Sequence, residues 1–188
     1  MIGKFYLTEV LNDICISSNT SSNSLYGAAM RHKLPTSDHR WLSKEEVENF
    51  DLSKISINSN KGYVLEVDLK YPDHLHMKHN SYPVCSEHIT IPESDLSPYA
   101  KSCLRELKMK YIPVKKLSAT FYPRKKYVCH GLNLQLYLSQ GLELEKIHRI
   151  VEFHQGEFMK SFVDNCAEKR RTAVTEIDSM IYKRVTNR

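Results

Sequence analysis

The chain has 188 residues, of which 27 are lysine or arginine and 22 are aspartate or glutamate, so its formal net charge is +5. A chain of this length can bury one hydrophobic core, or it can be a piece of a larger protein. The mild excess of positive charge suits contact with nucleic acid, but ordinary domains also reach it. Composition therefore permits a nucleic-acid partner without requiring one.

The five cysteines are widely spaced and form no CxxC pair. Their odd number and their spacing favour reduced thiols in an intracellular protein. No apolar run approaches the ~18 residues that a membrane span requires, and the first twenty residues lack the layout of a signal peptide. We therefore expect an intracellular protein with no membrane partner, in either the nucleus or the cytoplasm.

The amino-terminal part of the chain leads into a distinctive corner. Residues 1–16 carry mixed apolar positions that fit a short helix or a strand, and residues 17–24 consist of serine, asparagine and threonine, a loop composition. The corner itself is Ser-Leu-Tyr-Gly (residues 24–27), and Ala-Ala-Met follows it. Glycine permits unusual backbone angles and the next residues favour helix, so the stretch predicts a tight turn into a buried helical turn.

Three local patterns follow before residue 72. Leu34-Pro35-Thr36 predicts a turn. Ser43 and Glu46 form a capping-box pattern, which predicts a short helix from Lys44 to Phe50. Residues Tyr63 to Leu69 alternate bulky and polar side chains, which predicts a half-buried strand.

The middle of the chain, residues 73–126, is the least regular part. Prolines at or inside its limits are too frequent for long continuous elements. The exception is the stretch from Ser97 to Tyr111, whose apolar spacing predicts a helix.

The carboxyl-terminal third is rich in regular patterns. Leu132–Leu138 is apolar at every second residue, which by periodicity predicts a strand, and Leu144–His154 predicts another. Two apolar stripes at helical spacing, in residues 158–167 and 173–185, predict two consecutive helices with a break near residues 170–172.

Three blocks of the sequence together resemble a known family. They are the Ser-Leu-Tyr-Gly corner, residues 61–72 (Lys-Gly-Tyr-Val-Leu-Glu-Val-Asp-Leu-Lys-Tyr-Pro) and residues 127–187. Their order and spacing are similar to the polymerase domain of protein-primed family B DNA polymerases, carried by self-synthesising transposons, linear plasmids, some viruses and bacteriophages. The corner matches the first catalytic motif of that family, DxxSLYP or DxNxLYG.

The resemblance implies an α+β fold with a partial polymerase palm, an insertion and a two-helix fingers segment. It divides the chain into an unmatched amino-terminal segment (1–20), a palm segment with the first motif (21–72), the insertion (73–126) and a palm and fingers segment that ends at the start of the second motif (127–188). It also implies that Leu132–Leu138 is a short helix closed by Gly141, and here we follow the resemblance against the periodicity.

Catalysis in this family needs two aspartates that hold two Mg²⁺ ions, which activate the attacking 3′-hydroxyl and neutralise the leaving pyrophosphate. The resemblance places Ser21 where the first aspartate stands, and a neutral hydroxyl cannot replace a carboxylate ligand of a hard dication. The second aspartate belongs to a YxDTDS motif, which this sequence lacks. We therefore expect no catalytic residue, no bound Mg²⁺ and no polymerase activity from this chain alone.

The resemblance assigns other residues to the nucleotide. Tyr26 matches the steric gate that excludes a 2′-hydroxyl, while Lys183 and Asn187 match the start of the second motif, KxxxNSxYG, whose lysine contacts the triphosphate as a point charge. The cluster Lys169-Arg170-Arg171 matches a basic turn near the fingertips. Each assignment has an ordinary alternative, respectively a core tyrosine beside a turn, solvated helix residues and a solvated charge cluster.

Intact members of the family replicate DNA and bind a primer-template, a deoxynucleoside triphosphate and a terminal protein, so these are the expected partners. A second hypothesis is a non-catalytic nucleic-acid-binding module that uses the basic fingers and the insertion. A third is a zinc-stabilised interaction domain, because closely spaced histidine and cysteine residues can converge on zinc. The candidate zinc ligands are His74, His76, His79, Cys85 and His88.

Overall fold

The computed structural model describes residues 25–186, without the side chains of residues 25, 26 and 186. The chain forms two compact units. The first unit contains the described residues up to Lys70 together with those from Pro123 onward, and the second unit is Tyr71–Tyr122. The bounds of the second unit lie close to those of the predicted insertion, residues 73–126, whose relation to polymerases stays a prediction.

The fold is α+β, as predicted. Among the described residues, the first unit contains five α-helices and four strands. In chain order these are α1 (Leu25–Met30), β1 (Leu34–Trp41), α2 (Lys44–Glu48), β2 (Lys61–Lys70), β5 (Arg124–His130), α4 (Gly131–Ser139), β6 (Glu143–Gly156), α5 (Lys160–Arg171) and α6 (Glu176–Thr186).

The second unit contains little regular structure. Its elements are β3 (Glu87–Ile89), α3 (Pro98–Glu106) and β4 (Lys116–Ser118), and β3 pairs with β4 in an antiparallel hairpin sheet. Helix α3 is shorter than the predicted Ser97–Tyr111 helix. It stops at Glu106 because Lys108 adopts a φ of 50°, a left-handed conformation that breaks helical geometry.

The first unit is built on a four-stranded antiparallel sheet in the order β1-β6-β2-β5. The strands predicted at Tyr63–Leu69 and Leu144–His154 are confirmed, and both extend further as β2 and β6. The turn predicted at Leu34-Pro35-Thr36 is wrong, because these residues begin β1. Pro35 is tolerated there since β1 is an edge strand, where a residue without an N–H need not complete the ladder.

Helix α4 decides between the two expectations for Leu132–Leu138. The strand prediction from periodicity is wrong and the helix implied by the resemblance is confirmed. The alternating leucines lie all around a helix that buries Leu134 and Tyr137, one helical turn apart. Gly141 ends the segment with a φ of 100°, which glycine adopts without a steric penalty.

Helix α2 begins with the predicted capping box. The Glu46 N–H donates to the Ser43 hydroxyl, and the Ser43 N–H donates to the Glu46 carboxylate. The two final helices of the chain are also confirmed, although the break between them lies at residues 172–175. Their apolar stripes are less buried than the periodicity suggests: Val163 and Cys166 are buried, whereas the apolar residues of α6 are about half exposed or more.

The core of the first unit lies on the sheet. Fully buried side chains come from three strands and from α4; they include Leu65, Val67, Cys129, Leu134 and Ile150. A second apolar group contains Val151 and Phe153, against which Leu34 and Val64 pack.

A buried carboxylate joins three strands of this sheet. Glu152 of β6 accepts from Arg40 Nε of β1 at 3.1 Å, and from Lys61 Nζ at 3.1 Å and the Tyr63 hydroxyl at 3.2 Å on β2. Burial opposes ionisation, but the hydrogen bonds and charges of Lys61 and Arg40 hold the pKa of Glu152 below its usual value. Glu152 is therefore a charged acceptor in the native sheet.

Among residues 25–186, no helix is both long and apolar enough to cross a membrane.

We predict that Gly62→Ala destabilises the first unit. A Cβ atom built on Gly62 would collide with the Phe153 ring and would lie 2.7 Å from Gln155 Oε1. Overpacking of this kind costs about 1–3 kcal/mol. Urea denaturation followed by circular dichroism measures the loss. Gly156→Ala is the matched control, because the nearest atom to its new Cβ lies 3.8 Å away; equal stability of the two variants would contradict the prediction.

We predict that His130 makes the folded chain less stable in acid. Burial lowers the pKa of His130 to about 4, below the ordinary 6.5, and its ring caps α4 by accepting from the Leu132 N–H. Between these pKa values the unfolded chain binds the extra proton, so stability falls as pH drops from about 6.5 toward 4, by on the order of 3 kcal/mol.

The test is the free energy of unfolding of His130→Asn between pH 7.5 and pH 4.5. Asparagine can cap the helix but does not titrate, so the variant should have a flatter pH dependence. Some slope remains, because burial also lowers the pKa of His79. An unchanged slope in the variant would contradict the prediction.

Candidate functional site

Three helices of the first unit enclose a cleft of about 430 Å³. Helix α1 and the residue after it contribute one wall, α5 contributes the second and α6 the third. The lining residues are Gly27, Ala28 and Arg31 from the first wall, Val163, Cys166, Ala167, Arg170 and Arg171 from the second, and Ser179 and Tyr182 from the third. The floor is apolar and the rim carries three arginines.

The first wall approaches the cleft through small residues. Gly27 and Ala28 have little or no side chain, so the backbone of α1 itself lines the cleft. Arg31 Nε donates to Asp164 Oδ1 at 2.8 Å, which ties the end of α1 to α5. Because both side chains are about half exposed, this ion pair adds little stability, but it holds the guanidinium at the rim.

The second wall supplies two adjacent arginines, of which one is paired with a carboxylate within residues 25–186 and the other is not. Arg171 is exposed and pairs with Glu168 at 2.5 Å, one turn earlier in α5. Arg170 is partly buried, and among the described residues no carboxylate lies within 4 Å of its guanidinium. Both lie in the last turn of α5, where positive charge also compensates the carbonyl end of the helix. Arg170 is therefore the rim cation with the most capacity for an external anion.

The third wall carries an aromatic ring beside a lysine. Tyr182 lines the cleft, and Lys169 Nζ lies 5.7 Å from the centre of its ring. This distance permits a cation–π interaction, which orients the lysine along α6. Lys169 thus contributes charge near the cleft without lining it.

The structure brings some of the sequence-predicted residues together. Arg170 and Arg171 line the cleft beside Gly27, which directly follows Tyr26; the Tyr26 side chain itself is outside the description. Lys183 is exposed on α6 and does not line the cleft. Ser21 and Asn187 lie outside the described residues, so their assignments stay predictions.

Sequence analysis did not assign most lining residues to a site, and Arg31, Cys166 and Tyr182 are the most informative of those it missed. Arg31 stands four residues after Gly27, a spacing that places both on one side of a helix. That signal was present in the sequence. Cys166 carried only the apolar periodicity of its helix, which does not indicate whether a side chain faces a core or a cleft, and Tyr182 lies outside the apolar stripe predicted for α6.

The sequence suggested zinc ligands in the second unit and no complete set of magnesium ligands. Within residues 25–186, no group of three or more histidine, cysteine, aspartate or glutamate side chains could hold a metal ion. The five zinc candidates all lie in the described second unit and are not gathered into such a group, so the zinc hypothesis stays a prediction. The described residues also provide no carboxylate set that would fit Mg²⁺.

Two of the zinc candidates instead belong to an aromatic cluster of the second unit. The Tyr71 hydroxyl lies 2.5 Å from His79 Nδ1 in a buried position, and burial lowers the pKa of His79. A neutral His79 can then accept a hydrogen bond from the Tyr71 hydroxyl at Nδ1. His76 stacks on Phe121 with ring centres 4.4 Å apart, and Phe121 also contacts Tyr71 edge to face.

We predict that Tyr71→Phe destabilises the second unit by about 1–3 kcal/mol, since it leaves a buried imidazole acceptor without its donor. Thermal unfolding of the full chain measures the effect. Tyr99→Phe is the matched control, because Tyr99 is 78 % exposed in the same unit. Addition of EDTA should leave both midpoints unchanged; a large drop with EDTA would support the zinc hypothesis.

We compared the chain with models of protein families, with curated proteins and with solved structures, and none of the three comparisons gives a match.

Proposed function

We propose that this chain is a segment of a protein-primed family B DNA polymerase, and that its cleft binds the phosphates of a nucleotide or of DNA. One observation carries the proposal: the Gly27 corner and the Arg170-Arg171 cluster line the same cleft. These stretches are far apart in the sequence, and the resemblance independently assigned both to the nucleotide end of the polymerase. If the corner and the arginine cluster both bind a nucleotide, they must lie close together in the fold, and they do.

The chemistry of the cleft suits phosphate. Three arginines line it, and two of them pair with one carboxylate each, Asp164 and Glu168. Arg170 retains its charge for an external ligand. The planar guanidinium presents parallel donors that match two phosphate oxygens, and the ring of Tyr182 beside it offers a flat apolar surface.

The fold also supports the proposal in one place where the sequence patterns disagreed. Periodicity alone predicted a strand at Leu132–Leu138, whereas the resemblance implied a helix closed by Gly141, and the chain has that helix. An antiparallel sheet followed by two consecutive helices is compatible with a palm and fingers segment. This similarity concerns only the type and order of the helices and strands.

The proposed role of this chain is binding rather than nucleotidyl transfer. The resemblance puts the neutral Ser21 in place of the first metal-binding aspartate, and the described residues provide no carboxylate set for Mg²⁺. We therefore propose no catalytic step that uses Mg²⁺. Incubation of the purified chain with Mg²⁺, primer-template and deoxynucleoside triphosphates should give no primer extension; extension that disappears on substitution of Tyr26 or Lys183 would contradict this part of the proposal.

A non-catalytic nucleic-acid-binding module remains the second candidate, and the second unit supports it. Six cations of this unit are exposed, and none has a carboxylate within 4 Å among the described residues. They are Lys78, Arg105, Lys108, Lys110, Lys115 and Lys116. Exposed cations without a carboxylate partner are the kind that exchange counterions for phosphates.

We predict that Arg170→Gln/Arg171→Gln weakens binding of a fluorescent primer-template, measured by anisotropy at several salt concentrations. Removal of two phosphate contacts should lower the slope of log affinity against log salt by about 2. The control is Lys44→Gln/Lys54→Gln, which removes the same charge from exposed lysines outside the cleft.

The comparison of these variants separates the two candidates. A loss confined to the arginine variant supports the cleft as the site. Equal binding by the arginine variant and the native chain would contradict the cleft, and would leave the exposed cations of the second unit as the alternative contact.

A further inference from the structure

The single tryptophan of the chain lies on the surface of the sheet. Trp41 ends β1, pairs with Val151 of β6 and is 61 % exposed. Tryptophan is usually largely buried because its ring carries a large apolar area. An indole that remains mostly in water on a rigid strand is therefore a candidate contact surface.

The indole is held in place by an arginine on the neighbouring strand. The Arg149 guanidinium carbon lies 5.3 Å from the centre of the Trp41 ring, and Arg149 Nε donates to Glu66 Oε2 at 2.8 Å. Glu66 thus fixes the guanidinium, and the guanidinium covers part of the ring. Because the ring is still mostly exposed, a flat ligand can reach the rest of it.

The same face of the sheet extends across all four strands. Arg149 pairs with Glu66, and Glu66 pairs with Val128 of β5, so these side chains share a face with Trp41. Val128 is 44 % exposed. Neighbouring strands are ~4.8 Å apart, so the row from β1 to β5 spans roughly 14 Å. We call Trp41, Arg149, Glu66 and Val128 the tryptophan face.

Two lysines border the tryptophan face. Lys146 pairs with Asp68, two residues along β2 from Glu66, and the Lys126 backbone N–H donates to the same Asp68 carboxylate at 2.7 Å. Both lysine side chains are exposed, and among the described residues neither has a carboxylate within 4 Å. The acids of this region are already engaged, since Glu66 binds Arg149 and Asp68 binds His148 and the Lys126 N–H.

We propose that the tryptophan face binds single-stranded nucleic acid, with one base stacked on Trp41 and the adjoining phosphates near Arg149, Lys126 and Lys146. A flat exposed indole beside positive charge is the combination that sequence-tolerant single-strand binding uses. Bases in a duplex are stacked on each other and cannot reach the indole. The face lies on the sheet rather than in the helical cleft, so its function does not depend on binding in that cleft.

The experiment uses the fluorescence of the full chain. Since Trp41 is the only tryptophan, its emission reports directly on stacking at this residue. Titration with twelve-residue oligo(dT) and oligo(U) should quench the emission, and quenching by either supports the inference. Quenching by neither, or stronger binding to a duplex than to both single strands, would overturn it.

Two substitutions measure the contribution of the ring. By anisotropy with a labelled oligonucleotide, Trp41→Ala should lose about five- to 150-fold in affinity, while Trp41→Phe should retain most of it because phenylalanine can still stack. Phe158→Ala is the matched control, since Phe158 is 58 % exposed in the same unit. Native affinity in Trp41→Ala would overturn the inference.

Two further comparisons cover a variant that does not fold and separate this proposal from the cleft proposal. If Trp41→Ala fails to fold by circular dichroism, the quenching of the native chain and the affinity of Trp41→Phe decide. The Arg170→Gln/Arg171→Gln variant should still show the quenching, so a failure of the cleft proposal and a failure of this one give different results.

Discussion

The buried carboxylate of Glu152 sets the register on which the first unit depends. It stands opposite Arg40 on one side and Tyr63 on the other, and these two with Lys61 supply its donors. A charge that is removed from water costs several kcal/mol unless its acceptors are satisfied. A slip of one residue would turn Glu152 to the other face of the sheet and separate it from these donors. The arrangement of β1, β6 and β2 is therefore tightly specified.

Both proposed sites follow from the position of β6. This strand ends at Gly156 and α5 begins at Lys160, so the sheet orients the helix that carries Arg170. The ion pair between Arg31 and Asp164 then links the end of α1 to that helix. Earlier in β6, Arg149 lies beside Trp41 and orders the exposed face. One long strand thus positions a helical cleft at its end and an aromatic surface along its length.

The successes and failures of sequence analysis have a common physical origin. The capping box at Ser43 and Glu46 and the alternation of β2 were recognised because their cause lies within a few residues. Pro35 suggested a turn, yet it lies in a strand because that strand is at the edge of the sheet. The leucines of α4 suggested a strand, yet packing of Leu134 and Tyr137 favours a helix. Those outcomes depend on neighbours that are distant in sequence.

The sequence by itself determined the capping box of α2, the alternation of β2, the charge and the residues with capacity to bind phosphate, including Arg170 and Arg171. It also held the motif likeness from which the family was proposed. Only the tertiary structure decided that these arginines share a cleft with Gly27, that the zinc candidates do not converge, and that Trp41 lies exposed beside Arg149. The reason is physical: periodicity shows which side of an element is apolar, but what covers that side is set by contacts between segments far apart in the chain.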